Sequence, residues 1–571
     1  MKKLLSLILF VSFASTTFSQ DLPRHMTGKE KELYKTYEPI FSDFTDPPPT
    51  PVRTMSEWEE FQGILITWTS YTTILRQMVD YAQDEGLVFI VCSDSSSVKS
   101  FLTSGGVPLV NLKFLITSFN SVWSRDYGPW SAYSGVADSL KIVDWVYNRP
   151  RPLDDVISVY FANYANLPIY QATQAPNDLI SPGGNFLHDG NGTAFSSKLV
   201  LDENPTHTEA EIDTLVRRYN GIKRYIKMNT LPYDGIHHID MHMKVLDEET
   251  LLVGQYPTGV SDGPFIEANL QYILNNFPTC YGRPYKVVRI PMPPSLTGQY
   301  PPSSSYYTYT NSLFVNKTMM VPIYGFPQDT TALRIYRENL PGYRVVGINC
   351  SSMISAGGAL HCIAKEIGAV EPIFISHAKL YNTNNTVLPY EVKAYIKTKS
   401  NVSGAKVYWS TDTSVGFNQL TMTALASDTF RTFIPAQPLG ANVYYYITAN
   451  SNSGRTISKP LTAPGGFYQF RIDNPTVINN GQQVYTFALN QNYPNPFNPS
   501  TSIGFEIPAF GFVKLKVYDL LGKEIATLIN EAKHAGNYKV KFSDSDLSAG
   551  IYFYRLEVNN MVEIKKMILL K

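Results

Sequence analysis

Residues 355–364 read Ser-Ala-Gly-Gly-Ala-Leu-His-Cys-Ile-Ala and place a single thiol, Cys362, just after a pair of glycines. A cysteine attacks as the thiolate, so a nucleophilic cysteine needs neighbours that lower its pKa and a proton donor for the leaving group. A lone cysteine in an apolar run is more often a small buried hydrophobic residue. The stretch therefore indicates a nucleophile only together with partners from elsewhere in the chain.

Two other stretches supply candidate partners. Residues 123–130 set Asp126 beside a Gly-Pro turn, and from His238 the chain alternates the polar residues His238, Asp240 and His242 with apolar ones. On a strand, these three polar side chains would point to one face. Other readings stay open, because an aspartate beside Gly-Pro is commonly a turn residue and a histidine can be a core residue or a metal ligand.

Taken in order along the chain, these motifs resemble one family. The motifs are Glu57-Trp58-Glu59, Trp123-Ser124-Arg125-Asp126 with Gly128-Pro129, Gly183-Gly184-Asn185-Phe186, His238-Ile239-Asp240, and Gly357-Gly358 with His361-Cys362. Over about residues 50–370 the chain resembles the bacterial agmatine deiminase and Porphyromonas-type peptidylarginine deiminase family. The resemblance implies an α/β fold, a five-bladed pseudo-symmetric α/β propeller of the guanidine-modifying superfamily, with the active site in its central channel.

The chemistry can be argued from the residues themselves. A guanidinium is planar, cationic and a poor electrophile, so its hydrolysis needs carboxylates along its nitrogen edges while a thiolate attacks the central carbon. We expect Asp126 and Asp240 to be the carboxylates and Cys362 the nucleophile. His238 would protonate the departing ammonia and later take a proton from the water that resolves the thiouronium intermediate. The resemblance adds Asn311, which would orient the thiol or the substrate.

Substrate choice depends on Tyr147-Asn148-Arg149-Pro150-Arg151-Pro152. On an extended, proline-stiffened segment the two arginines would face the same way, and paired guanidinium groups favour a carboxylate. This resembles the Porphyromonas-type enzyme, whose corresponding arginines hold the free carboxylate of a peptide that ends in arginine. Trp123 would stack along the arginine side chain, and Tyr233 would shape the opening. Alternatively, Arg149 and Arg151 are ordinary surface cations, and the substrate is agmatine, giving N-carbamoylputrescine.

The N-terminus predicts export. Lys2 and Lys3 precede an apolar stretch and a small, polar cleavage region, which is the pattern of a secretory signal peptide over residues 1–19. Residues 20–50 would form a lead or pro-region, in which the charged stretch Lys29 to Lys35 is the most distinctive part. The catalytic domain would occupy residues 51–370.

Two β-sandwich domains are expected to follow. Residues 371–472 alternate in short runs separated by Ser, Asn and Gly turns, which predicts an immunoglobulin-like domain. Residues 485–571 carry Asn492-Tyr493-Pro494-Asn495-Pro496-Phe497, Val517-Tyr518-Asp519-Leu520-Leu521-Gly522 and Gly550-Ile551-Tyr552-Phe553-Tyr554, and resemble the C-terminal sorting domain of the type IX secretion system. The resemblance implies a secreted or outer-surface location and the type IX machinery as a partner.

Composition narrows the remaining classes. The 48 basic residues balance the 48 acidic ones, so no net field would recruit nucleic acid or an anionic membrane. We expect no membrane span, no cofactor, and peptides or proteins with arginine as partners. Two other classes remain open: a metal-dependent hydrolase built on His238, Asp240 and His242, with His237 as a spare ligand, and a secreted binding protein on the same scaffold. A disulfide between Cys350 and Cys362 is a structural alternative to the nucleophile.

Overall fold

The computed structural model describes residues 22–37, 45–135, 137–473, 487–507, 511–533, 536–543, 547–558 and 561–570. The expected signal peptide, 1–19, and part of the expected lead lie outside these residues. The described residues fall into two compact units, one within Met1–Tyr272 and Lys286–Ile472, the other within Ile273–Tyr285 and Asp473–Lys571. Within the described ranges, no helix has both the length and the apolar character needed to cross a membrane.

Helices and strands alternate through residues 28–368, as an α/β fold requires. The helices are α1 Gly28–Tyr34, α2 Thr72–Ala82, α3 Ser95–Ser104, α4 Ser124–Tyr127, α5 Pro152–Asp155, α6 Ile157–Ala165, α7 Leu199–Asp202, α8 Glu209–Asn220, α9 Gly263–Asn276 and α10 Pro327–Asn339. The strands are β1 Val52–Thr54, β2 Phe61–Thr67, β3 Leu87–Cys92, β4 Leu112–Ile116, β5 Trp130–Ser134, β6 Ser139–Trp145, β7 Ile169–Ala172, β8 Leu187–His188, β9 Thr193–Ser197, β10 Arg224–Met228, β11 Met243–Asp247, β12 Thr250–Gln255, β13 Lys286–Pro291, β14 Leu313–Val315, β15 Thr318–Ile323, β16 Arg344–Asn349 and β17 Lys365–Gly368.

These strands form five small sheets with one repeated pattern, and none of the sheets traced through the described residues closes on itself. The sheet orders are β1-β5-β6-β7, β10-β9-β8, β11-β12-β13, β14-β15-β16 and β17-β2-β3-β4. In each sheet an antiparallel pair is extended by a parallel strand. Because a parallel neighbour needs a crossover, helical segments lie between the paired strands in sequence, as α2 does between β2 and β3 and α10 between β15 and β16.

Helix α8 shows how local sequence sets one of these crossovers. The Thr208 side chain caps the first turn in a capping box with Glu211, and Gly221 ends the helix in the left-handed conformation at φ 73°. Between these ends, Ile212, Leu215, Val216 and Tyr219 recur at helical spacing and are buried against the hydrophobic core formed with Trp130, Ala132 and Val143.

The sheets position the site through one recurring location. Asp126 lies four residues before β5, Asn185 two before β8, Asp240 three before β11, Asn311 two before β14 and Cys362 three before β17. Each of these strands is a member of the antiparallel pair of its own sheet. Because the five sheets repeat one pattern, equivalent connections carry the five motifs to a common place.

Residues 371–472 form two further sheets around one hydrophobic core. Their strands are β18 Ile373–Ser376, β19 Tyr390–Thr398, β20 Val402–Ser410, β21 Asn418–Thr421, β22 Thr423–Ala424, β23 Thr429–Ile434, β24 Asn442–Ser451, β25 Thr456–Lys459 and β26 Tyr468–Arg471. The sheet orders are β18-β19-β23-β22 and β21-β20-β24-β25, with β26 also paired to β24. Alternate residues of β19, such as Val392, Ala394 and Ile396, enter the shared core.

Within the second unit, the described residues from 487 onward form strands around a core of their own. Its strands are β27 Ala488–Leu489, β28 Ser500–Ile507, β29 Gly511–Tyr518, β30 Glu524–Lys533, β31 Gly536–Ser543, β32 Gly550–Val558 and β33 Met561–Leu569. They form the sheets β27-β28-β31 and β30-β29-β32-β33. Val513, Leu515 and Val517 alternate into a buried cluster with Tyr554 and Leu556. The domain boundaries expected from the sequence stay predictions.

Candidate active site

The thiol of Cys362 is fully buried in a single 3₁₀ turn, His361–Ile363. The Asn311 side-chain amide donates to Sγ over 3.1 Å, and the Asn311 Oδ1 accepts from the Ala359 backbone N–H over 3.0 Å. A Cβ at Gly358 would lie 2.5 Å from the same sulfur, so the loop can pass the thiol only with glycine there. Burial raises the pKa of Cys362 well above its usual value, and a guanidinium beside the sulfur opposes that rise.

The three other cysteines, Cys92, Cys280 and Cys350, are free thiols, as Cys362 is. The alternative of a Cys350–Cys362 disulfide is therefore wrong. The Cys350 thiol donates to the carbonyl oxygen of Ile348 over 3.4 Å.

Asp126 lies on the short helix α4, which its neighbour Arg125 fixes. The Arg125 guanidinium makes a bidentate ion pair with Glu366 on β17, with distances of 2.8 and 2.6 Å, and its Nε donates to the His361 carbonyl over 3.0 Å. The backbone N–H of Gly184 donates to Asp126 Oδ1 over 2.9 Å. Through its contacts with Glu366 and with the His361 carbonyl, Arg125 therefore connects the helix that carries Asp126 to the turn that carries the thiol.

Asp240 is held by a series of side-chain contacts that begins at Glu57, a residue of the Glu57-Trp58-Glu59 motif. His361 Nδ1 lies 2.9 Å from Asp240 Oδ2, and His361 Nε2 lies 2.8 Å from Glu57 Oε1. Glu57 in turn accepts from Lys244 Nζ over 2.7 Å. Glu57 and His361 stood in the quoted motifs but had no role assigned to them, because sequence order cannot show that the two ring nitrogens face two carboxylates.

His238 is fully buried, and neither of its ring nitrogens has a hydrogen-bond partner among the described residues. Its Nδ1 lies 3.7 Å from Asp126 Oδ1, which is an electrostatic contact. Burial, together with the positive charge of Arg24, lowers the pKa of His238 to about 3. The imidazole is therefore neutral near neutral pH.

The expectation of a strand through His238, Asp240 and His242 is wrong. Residues Ile239–Met241 form a 3₁₀ turn, and β11 begins only at Met243. A 3₁₀ turn does not alternate faces, so the three polar residues are not aligned as a strand would align them. His242 is buried, and its ring nitrogens make no hydrogen bond to any described residue.

An arginine from the expected lead segment occupies the space between these groups. The Arg24 guanidinium donates from Nε and Nη2 to the two carboxylate oxygens of Asp126, at 2.8 and 2.9 Å. Its Nη1 and Nη2 donate to the two oxygens of Asp240, each at 3.2 Å, and Nη1 lies 2.6 Å from Cys362 Sγ. Arg24 is completely buried. Arg24 lies in none of the motifs quoted from the sequence.

The arginine lowers the pKa values of the carboxyl groups that hold it. Burial is the largest single effect and raises the pKa of Asp126 and of Asp240, but Arg24 and the neighbouring histidines together outweigh it, and both pKa values are lowered. For Asp240, the contact with His361 adds to this effect. Both carboxylates are therefore ionised while a guanidinium lies between them.

The backbone around Arg24 is held as firmly as its side chain. Trp123 Nε1 donates to the Leu22 carbonyl over 2.8 Å, Arg151 Nη2 to the Pro23 carbonyl over 2.6 Å, and Arg149 Nε to the Arg24 carbonyl over 2.9 Å. The Arg24 N–H donates to the Ala356 carbonyl over 2.8 Å. Further along, Glu30 on α1 accepts from Arg151 Nε over 2.7 Å.

Arg149 and Arg151 are buried, not ordinary surface cations, and they do not lie on an extended segment. The Arg151 N–H donates to the Arg149 carbonyl over 2.8 Å, which makes a tight turn, and Arg151 then precedes helix α5. Tyr233 lies apart from the guanidinium. It is 48% exposed and lines a surface cavity of about 250 Å³ together with His25 and Gly357.

The metal alternative built on His238, Asp240 and His242 finds no support in this geometry. In the part of the chain that the structure describes, the group of three metal-ligand side chains that converge is Glu57, His361 and Glu366. The two carboxylates of that group are already paired with cations, Glu57 with Lys244 and Glu366 with Arg125. Asp240 itself is occupied by Arg24 and His361.

Comparison with known proteins gives two matches along the chain. Residues 53–367 match the family model of the Porphyromonas-type peptidyl-arginine deiminase, and residues 491–570 match the secretion system C-terminal sorting domain. The second match indicates type IX secretion, so the protein is directed to the outer surface or the extracellular space. The prediction of its location is confirmed.

Curated relatives and solved structures agree on the first region. The proteins named "Putative agmatine deiminase" of Mycoplasma mycoides and of Legionella pneumophila are 22% and 25% identical over 287 and 282 residues, which is 45% of this chain in each case and 77% and 75% of those proteins. The crystal structure of the "Putative Arginine Deiminase" from Porphyromonas gingivalis aligns with a TM-score of 0.50 and 20% identity, covering 56% of this chain and 98% of that one. At this identity the structural match shows the fold alone.

Proposed function

We propose that this chain, which belongs to the Porphyromonas-type peptidyl-arginine deiminase family, hydrolyses the guanidinium of arginine within a peptide to citrulline and ammonia. Guanidinium deimination, a hydrolysis of carbon–nitrogen bonds, follows from the family and its relatives. The peptide substrate and the roles of individual residues are the proposal.

The observation that carries the proposal is the way Arg24 is bound. Its guanidinium lies between two carboxylates and against the thiol, while its peptide backbone is hydrogen-bonded on both sides of the residue. A site that recognises peptide groups at three successive carbonyls, those of Leu22, Pro23 and Arg24, supports a peptide substrate. Agmatine has no carbonyl to offer to Trp123, Arg149 or Arg151, and for this reason we do not favour it.

In the proposed reaction, Asp126 and Asp240 hold the guanidinium, and neutral His238 takes the thiol proton from Cys362. The thiolate attacks the guanidinium carbon, and the carbon–nitrogen bond to the leaving group breaks as His238 returns the proton, releasing ammonia. A water molecule then attacks the thiouronium carbon and gives a proton to His238. The carbon–sulfur bond breaks as the hydroxyl proton of the adduct passes to the sulfur, which leaves the ureido group of citrulline and the Cys362 thiol, and His238 releases its proton to the solvent. Asn311 orients the sulfur throughout.

Charge at the mouth of the site supports an arginine at a peptide C-terminus as the preferred substrate. Arg149 Nε reaches the carbonyl of the bound arginine, so a chain that ended at this residue would set its carboxylate on Arg149. Arg151 already binds a carboxylate, that of Glu30. An internal residue offers Arg149 a neutral carbonyl, whereas a free carboxylate forms an ion pair with it, so the free carboxylate should bind more tightly.

For the architecture, we infer that the five repeated sheets are the five blades of an α/β propeller and that the motifs before β5, β8, β11, β14 and β17 line its central channel. Strand β17, near the end of the region, pairs with β2 near its start, which supports a ring in which the last segment completes the first blade. We likewise infer that the strands of 371–472 and of the second unit form two β-sandwiches, because each set encloses a core of alternating residues.

The test measures ureido products from four substrates, with Cys362→Ala as the inactive control. The substrates are a peptide ending in free arginine, the same peptide amidated, a peptide with internal arginine, and agmatine. We expect turnover of the peptides, with the highest kcat/KM for the free carboxylate, and little turnover of agmatine. A preference for agmatine would refute the peptide proposal, and equal turnover of the free and amidated peptides would refute the C-terminal preference.

A further inference from the structure

The segment that enters the active site belongs to the chain itself. Residues 22–27 lead into helix α1, whose Thr27 and Glu30 form a capping box at its first turn. The Glu30 side chain accepts from the Thr27 N–H and also reaches Arg151. The helix start, the ion pair to Arg151 and the backbone hydrogen bonds together fix where Arg24 enters the site.

Every group of the proposed reaction surrounds the Arg24 guanidinium. Both carboxylates contact it, and the nucleophilic sulfur lies 2.6 Å from Nη1. The buried His238, whose ring nitrogens make no hydrogen bond to the residues that the structure describes, lies beside Asp126. Gly184 completes the slot, since a Cβ at that position would lie 1.6 Å from Arg24 Nη2. Such a slot fits a planar guanidinium, and Arg24 occupies it as a substrate would.

We propose that Arg24 is a modification site of this enzyme and that the chain deiminates its own Arg24 in cis. This inference rests on the proposed function, because it uses the same thiolate, the same carboxylates and the same proton carrier. The Cys362 sulfur bonds to the Arg24 guanidinium carbon and ammonia leaves with a proton from His238. Water then adds to the same carbon, giving one proton to His238 and one to the departing sulfur, so that residue 24 becomes citrulline and the Cys362 thiol is restored.

The product should bind less tightly than arginine does. A ureido group is neutral and places a carbonyl oxygen where a guanidinium nitrogen was, so the ion pairs to Asp126 and Asp240 are lost and an acceptor faces two carboxylates. The remaining attachment consists of backbone hydrogen bonds and the Glu30–Arg151 ion pair. Self-deimination therefore opens the active site to peptides in solution.

The experiment is mass spectrometry of the peptide that contains residue 24, from the purified full chain and from its Cys362→Ala variant. We expect citrulline at residue 24 in the chain without substitutions and arginine at residue 24 in the Cys362→Ala variant. Arg334 serves as an internal control, because it is an exposed helix arginine paired with Glu338 and should remain arginine in both proteins. Equal conversion of Arg24 and Arg334 would overturn the assignment of a specific site.

A mixing experiment separates reaction in cis from reaction between chains. The Cys362→Ala chain, which keeps Arg24, is incubated with an equal amount of an active Arg24→Gln chain. We expect Arg24 of the inactive chain to remain arginine. Its conversion to citrulline as fast as in the chain without substitutions would overturn the reaction in cis. Once its Arg24 has become citrulline, the chain without substitutions should turn over external peptide with the same kcat/KM as the Arg24→Gln chain. A converted chain with no external turnover would contradict release.

External turnover also tells the two proposals apart. If the chain deiminates an external peptide while its own Arg24 stays arginine, self-deimination is wrong and the proposed function stands. If neither the external peptide nor Arg24 is converted, the proposed function fails, and the self-deimination that depends on it fails too.

Discussion

Replacing Gly184 by alanine should close the slot that receives a guanidinium. Gly184 lies in the 3₁₀ turn Gly183–Asn185, and its N–H donates to Asp126. The added Cβ would lie 1.6 Å from Nη2 of the bound arginine and 2.8 Å from Oδ2 of Asp240. The backbone at this residue needs no left-handed conformation, so alanine blocks the slot without backbone strain.

The size of the effect follows from the overlap. Non-bonded atoms settle at about 3.5 Å, so a guanidinium must retreat by about 2 Å to clear the new methyl group. A misplacement of about 1 Å can cost about 100-fold in rate. We therefore expect Gly184→Ala to lower kcat/KM for an arginine peptide by at least about 1000-fold, which corresponds to about 4 kcal/mol of lost transition-state stabilisation.

The assay is citrulline release from the free-carboxylate peptide, with circular dichroism to check that the fold is retained. Gly235→Ala is the matched control, because a Cβ there meets no atom within 4 Å and should leave activity unchanged. Gly184→Ala should also keep arginine at residue 24, since Arg24 can no longer reach the thiol. A folded Gly184→Ala enzyme with kcat/KM within tenfold of the unmodified enzyme would refute the assignment of this slot.

Three further predictions concern the groups around the slot. Asn311→Ala should lower kcat by about 10- to 100-fold with a small change in KM, because the amide positions the sulfur and touches no peptide backbone; a change confined to KM would contradict this. Arg149→Ala should raise KM for the free-carboxylate peptide by about 10- to 100-fold, through loss of a charge-assisted hydrogen bond, whereas the exposed Arg334→Ala should have no effect. Because burial raises the pKa of the Cys362 thiol, kcat/KM should increase as the pH rises from neutral into the alkaline range. Because the pKa of His238 is about 3, protonation of His238 should cause no loss of activity in mildly acidic solution. A maximum of kcat/KM in mildly acidic solution would contradict this prediction, because it would show that the thiolate is already formed there.

Much of the fold and the family could be predicted because short motifs carry local information. The glycines at 184 and 358 are required by close approaches of a guanidinium and a sulfur, and such requirements leave a sequence signal. The strands of residues 371–472 were also predictable, since alternate residues of β19 are buried, as the alternating sequence indicates. The five motifs were recognised by their order, whereas their equivalent positions before five strands appear only in the structure.

What the sequence could not show are contacts between distant segments. Arg24 meets Asp126, Asp240 and Cys362, which lie 102, 216 and 338 residues away, and no periodicity links these positions. The lead or pro-region over residues 20–50 stays a prediction, and the ion pair that joins its Glu30 to Arg151 spans 121 residues. The strand expected through His238 failed because alternation over a few residues does not separate a strand from a turn.

The position of the occupying arginine connects export with activity. The protein is directed out of the cell by its C-terminal sorting domain, and its active site holds an arginine from its own N-terminal region. While Arg24 remains arginine, an external peptide must displace an intramolecular ligand that makes two carboxylate ion pairs. After deimination, the same segment offers no cation to Asp126 or Asp240. One reaction on residue 24 would therefore convert a self-occupied site into an open one without proteolysis, using only the chemistry that the site already performs.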